Sequence, residues 1–187
     1  MKRQRQLYRP DNNKIFLKTY LQIKGGTMNI FEYAMQMEKD GEEYYRQLAR
    51  QAADKGLQTI LTMLADEEVK HYKAIEKMKT AELEMAETTI LSDAKNIFIQ
   101  IQESGEDFDY DTGQIKVYKK AQDMEERSRD FYLKKANEVE EECQKELFLK
   151  LAEEEKKHYF LLENIIEFIS RPETWLENAE FYHLEEY

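Results

Sequence analysis

A chain of 187 residues with 41% hydrophobic content can bury the core of one compact domain, and with only two prolines and six glycines it leaves long helices uninterrupted. Of the net charge of −11, residues 1–27 carry +6 and residues 28–187 carry −17, so acidic a body that nucleic acid and anionic membrane are excluded as partners. The lone cysteine, Cys143, allows neither an intramolecular disulfide nor a Cys-x-x-Cys metal knuckle, and with no apolar run of about 18 residues the expectation is a cytoplasmic all-α protein.

Residues 1–27 show neither helical nor strand periodicity. Lys24-Gly25-Gly26-Thr27 ahead of Met28 reads as a translated ribosome-binding sequence, so the expected start is Met28, with the basic leader set aside from the fold. The first bundle helix is predicted from Asn29, an N-cap with Glu32 three residues on, to about Asp54, where Lys55-Gly56 supplies a basic last turn and a terminal glycine. Its apolar seam runs Ala34, Glu38, Gly41, Tyr45, Leu48, Ala52. The second follows with Leu57, Leu61, Leu64, Glu68, His71, Ile75 and Met78, alternating spacings of four and three that suit a bundle interior. Residues 80–112 are too long for a hairpin loop, and a short helix is predicted there from Ser92 through Ile101. Within this connection Asp107–Gly113 is similar to the start of a calcium loop. Its glycine falls one place late and Tyr118 stands where the bidentate glutamate belongs, so it reads as a solvated acidic turn.

The third bundle helix, from about Thr112 to Asn137, has the seam Tyr118, Ala121, Glu125, Ser128, Tyr132, Val139. The fourth carries Phe148, Leu151, Glu155, His158, Leu162, Ile165 and Ile169 and is predicted to stop at Ser170, before Arg171-Pro172. The aromatic tail, 171–187, is expected to dock on the bundle or on a second subunit.

These halves are an ungapped internal repeat. Leu64–Tyr72 (LADEEVKHY) returns as Leu151–Tyr159 (LAEEEKKHY), and the same offset of 87 residues pairs Glu38 with Glu125 and Tyr45 with Tyr132. Each half offers a lone glutamate and, thirty residues later, a Glu-x-x-His pair: Glu68/His71 and Glu155/His158. Where 36% of residues are charged, a glutamate three before a histidine means little by itself. Phase separates the cases: Glu38, Glu68, Glu125 and Glu155 fall on the apolar seams, whereas Glu67, Glu153 and Glu154 fall off them. An unpartnered buried carboxylate costs several kcal/mol, on the order of the stability margin of a domain, and no Lys or Arg shares the centre of these seams. Two divalent cations would balance four carboxylates, and neutral imidazoles would complete the coordination. The midpoint of Glu38 and Glu68 is residue 53, at the predicted turn, and that of Glu125 and Glu155 is residue 140, so each pair sits level on antiparallel helices.

On these residues the chain resembles the ferritin-like di-iron carboxylate superfamily, and most closely its rubrerythrin-type proteins, from residue 29 to about 170. The resemblance implies an all-α ferritin-like four-helix bundle with one long crossover between its second and third helices. It implies two bound iron ions, with manganese or a mixed pair as the other metals such a site accepts. Glu68 and Glu155 then correspond to carboxylates bridging both metals, Glu38, Glu125, His71 and His158 to terminal ligands, and Tyr45 and Tyr132 to tyrosines that hydrogen-bond ligating carboxylates. Rubrerythrins proper carry a further glutamate where this chain has Ser128, and a rubredoxin-like iron domain built on Cys-x-x-Cys pairs, which a single cysteine cannot supply. Electrons must therefore come from a separate donor. The implied function is a di-iron oxidoreductase acting on peroxide or dioxygen, as a homo-oligomer with a homodimer expected. The alternatives are a ferritin-type ferroxidase or iron store and a metal-free structural bundle.

Overall fold

The computed structural model describes residues 29–78, 85, 88–104 and 112–170. The leader, the 171–187 tail and residues 107–111 of the acidic turn lie outside the described residues. Five helices are present among the described residues: α1 (Ile30–Gln51), α2 (Lys55–Met78), α3 (Ile90–Ser104), α4 (Thr112–Glu138) and α5 (Glu142–Ser170). None is long and apolar enough to cross a membrane.

Helix α1 begins where the sequence places it. Asn29 accepts from the Phe31 amide at 3.0 Å while Glu32 reaches back to the Asn29 amide, a reciprocal cap that satisfies two otherwise orphaned donors. Its end differs from expectation: α1 stops at Gln51, and Lys55-Gly56 opens α2 instead of closing α1. The physical cause is Asp54, whose Oδ1 accepts from the Leu57 amide at 2.8 Å and so caps α2 in place of extending α1. The turn at 52–54 and that at 139–141 fall at the two midpoints read from the glutamate pairs.

α1 packs along α2, and α4 along α5, forming two helical hairpins. Contacts between the hairpins give their relative direction: Tyr132 of α4 meets Glu38 of α1, while Tyr45, two turns further along α1, meets Glu125, two turns earlier on α4. α1 and α4 are therefore antiparallel, so α2 and α4 run parallel and the chain must travel back along the bundle between them. α3 lies in that crossover, longer than the predicted segment, and packs on α2 and α5. Its buried Ile90, Leu91, Ala94 and Phe98 join Leu57, Leu61, Leu162, Ile165 and Phe168 in one core cluster, with the Phe98 and Phe168 rings in edge contact at 5.7 Å. A second cluster, built on Ala34, Ile75, Tyr132, Phe148 and Leu151, makes up the other part of the core.

The α1, α2 and α5 seams are buried as read, and α2 and α5 bury wider faces, since they pack on each other and on α3 as well as on their hairpin partners. Two expectations need correction. On α4 the last buried position is Ala136, since the helix ends at Glu138 and Val139 falls in the turn; Ser128 is only half-buried. Glu67 and Glu154, read as lying off the seam, are 7% and 5% exposed. Each is paired with the lysine one turn on, Glu67 with Lys70 at 2.6 Å and Glu154 with Lys157 at 3.0 Å, so its charge is met by an ammonium. Glu153 is exposed as expected.

Candidate metal centre

All six residues singled out by the repeat converge. Glu38 on α1, Glu68 and His71 on α2, Glu125 on α4, and Glu155 and His158 on α5 are each buried. Helical spacing does the local work: three residues separate glutamate from histidine on α2 and on α5, which places both side chains on one face, one turn apart. The repeat then brings the two faces together with the His71 and His158 rings stacked, centroids 5.3 Å apart and planes inclined by 18°.

Two groups of ligand atoms result, each with all its members within 4.8 Å of one another: Glu38, Glu68, His71 and Glu155, and Glu68, Glu125, Glu155 and His158. Glu68 and Glu155 belong to both. His71 Nδ1 lies 3.3 Å from Glu38, 3.3 Å from Glu155 and 3.6 Å from Glu68. His158 Nδ1 lies 3.4 Å from Glu68 and 3.7 Å from both Glu125 and Glu155. The donor set is nitrogen and carboxylate oxygen only, one imidazole per group, which suits a first-row divalent ion. Both rings turn Nδ1 toward the carboxylates, and neither Nε2 has a hydrogen-bond partner among the described residues.

The two unshared carboxylates are each held by a phenol. The Tyr45 hydroxyl donates to Glu125 Oε1 and the Tyr132 hydroxyl to Glu38 Oε1. Each tyrosine thus serves the lone glutamate of the opposite half, not the one seven residues before it. Tyr44, beside Tyr45, ties the same two helices by donating to the Val117 carbonyl at 3.1 Å. Gly41, one turn beyond Glu38, faces the Glu68 side chain. Neither Tyr44 nor Gly41 was marked as functional in the sequence, although Gly41 on a buried seam was a signal.

Without metal, burial and mutual charge favour protons on part of the cluster. Burial, followed by the charges of Glu155 and Glu68, pushes the Glu38 carboxyl well above its ordinary range. Burial and then Glu155 do the same to Glu125. At Glu68 burial and then the charge of Glu155 oppose ionisation, but the facing polar groups of Glu38, His158 and His71 outweigh both and hold the carboxyl down to about 2. Glu155 is lowered against burial in the same way, by Glu125 and both histidines. Burial disfavours the imidazolium ions, yet the surrounding carboxylates raise both histidines well above 6.5. The shifts favour ionised Glu68 and Glu155, protonated imidazoles and neutral Glu38 and Glu125, a pattern that carries no net charge. Two divalent ions with four carboxylates make the same total, so the buried cluster is able to hold metal without a net charge in the core.

The bundle is similar to a solved structure of a hypothetical protein from Pyrococcus furiosus, with 22% identity, a TM-score of 0.57, and coverage of 82% of this chain and 96% of that one. That likeness concerns the fold, which is all-α and ferritin-like. No curated protein matches the chain. The sequence profile of the family described as Rubrerythrin matches residues 29–166, which takes in both hairpins, the crossover and all six clustered side chains. With its repeated Glu-x-x-His pairs gathered on two shared carboxylates, the chain belongs to the rubrerythrin family.

Proposed function

We propose that the chain is a di-iron oxidoreductase of peroxide or dioxygen, with Glu68 and Glu155 as bridging ligands and Glu38, Glu125, His71 and His158 as terminal ligands. The observation that carries this reading is the sharing of Glu68 and Glu155 between two adjacent, fully buried ligand groups, one imidazole in each. The chemistry such a metal pair supplies is reduction of an O–O bond by two electrons, one from each ion. Tyr45 and Tyr132 orient the terminal carboxylates, and their hydroxyls are donors within reach of the same oxygens that would shed or accept charge during turnover. Leu64, Ile75, Leu151 and Leu162, each one turn from a clustered residue on the same helix face, are fully buried, as a site closed to bulk water requires. A separate protein or small reductant is the electron donor proposed, and a homodimer the assembly.

Elemental analysis of protein purified without added metal, followed by anaerobic mixing of the iron(II) form with hydrogen peroxide or dioxygen, tests the reading. Two ions per chain and oxidation much faster than that of free iron(II) support it. Elution as a large shell that accumulates many iron atoms per chain would instead favour ferritin-type storage, and protein that takes up no metal would leave a structural bundle.

A further inference from the structure

We infer that Gly41 is a positioning residue for Glu68: its missing side chain is the space that lets one carboxylate face both halves of the centre. The inference rests on the two-metal reading above and deepens it. Apart from proline, glycine is the residue least suited to a helix interior, and Gly41 sits buried midway along α1, on the seam between Glu38 and Tyr45. A Cβ there would lie 3.3 Å from Glu68 Cδ and 3.4 Å from both its Cγ and Oε2. These three nearest atoms all belong to the Glu68 side chain and none to the α2 backbone, so the obstacle a methyl group meets is the carboxylate itself and not the packing of the two helices. Relief requires Glu68 to give by a few tenths of an ångström.

Glu68 has little freedom to do so. Its Oε1 faces His158 Nδ1 at 3.4 Å and its Oε2 faces His71 Nδ1 at 3.6 Å, so a shift that satisfies one imidazole withdraws from the other. The repeat shows that the bundle does not demand glycine at this level: the offset that pairs Glu38 with Glu125 pairs Gly41 with Ser128, which has a Cβ and is only half-buried. The requirement is local to Glu68, and the two halves of an otherwise repeated centre differ at this position.

Gly41→Ala separates a positioning role from a packing role, because the two predict changes in different quantities. The metal-free variant should keep its helical content and melt at or above the temperature of the metal-free parent, since alanine suits the helix better. Its affinity for anaerobic iron(II), measured by competition with a chromophoric chelator, should fall about 10–100-fold, the usual cost of disturbing a group that orients a ligand, and both ions should be affected. A parent that loads two ions beside a variant that loads them with equal affinity overturns the inference and leaves the reading of the centre standing. A parent that takes up no iron overturns that reading itself and the inference with it. Should the metal-free variant melt below the parent, Gly41→Ala combined with Glu68→Ala decides: recovery of melting relative to Gly41→Ala supports collision with Glu68 as the obstacle, and no recovery overturns it.

Discussion

Buried glutamates among the described residues fall into two kinds, distinguished by what meets their charge. Glu67 and Glu154 have a lysine one turn away, whereas Glu38, Glu68, Glu125 and Glu155 have only imidazoles, phenols and one another. Glu68→Ala or Glu155→Ala should therefore lose both metal ions together, while Glu67→Ala, which frees only the largely exposed Lys70, should retain two, as read by elemental analysis after equal loading. The phenols act more finely. Tyr45→Phe and Tyr132→Phe keep the ring and its packing and remove one donor each, so stability should drop by about 1–3 kcal/mol in denaturant titration. Oxidation of the iron(II) protein by peroxide, followed by stopped flow, should change by more than that loss implies, and unchanged rates in both variants would return these residues to core packing.

At the scale of elements, each Glu-x-x-His helix is held level with its partner by a short turn, and the two hairpins are held in register by a connection that cannot be short. α3 is more than a spacer: Phe98 is fully buried and contacts Phe168, and Ile90 and Ala94 share its core. Phe98→Ala should cost about 3–5 kcal/mol, the usual range for emptying a buried aromatic site. The six clustered residues lie on α1, α2, α4 and α5, so metal content at low temperature should be unchanged in this variant. A parallel fall in metal content would mean that α3 also holds the α2 and α5 faces in place.

On the proposed reading the core's charge is met either by protons or by metal, and pH should choose between them. Glu38 and Glu125 are raised above 4.5 and His71 and His158 above 6.5 in the metal-free fold. Groups raised in this way stabilise the fold fully below their unfolded values and lose that contribution as pH rises through the folded ones. Glu68, held down to about 2, and Glu155 act oppositely, their contribution being present above 4.5 and lost as pH falls. The metal-free protein should thus be most stable near about pH 5 and melt progressively lower as the pH is raised from there. Metal uptake displaces the protons of four groups, so the rise in melting temperature on loading should grow over the same interval. Proton release into weakly buffered solution during iron(II) titration measures the exchange directly. A metal-free melting temperature that is flat or rising with pH would contradict it.

The sequence by itself determined the helices, their buried faces and the six clustered residues, because an internal repeat carries its own control: chance glutamates do not recur in phase with an apolar seam after 87 residues. The turns at 52–54 and 139–141 were legible for the same reason, as midpoints of level pairs on antiparallel helices. Other features depend on neighbours that one helix cannot specify. The boundary at Asp54 was misplaced because its side chain caps the following helix, a choice between two adjacent helices that composition leaves open. The burial of Glu67 and Glu154 was missed because α2 and α5 also pack on each other, beyond their own hairpin partners, which a single apolar stripe does not record. Only the tertiary structure decided that Tyr45 serves Glu125 and Tyr132 serves Glu38. Along one helix a tyrosine seven residues from a glutamate is two turns, about 10 Å, away, too far for its hydroxyl to turn back, whereas the antiparallel packing of α1 and α4 brings the opposite half's carboxylate within hydrogen-bonding reach.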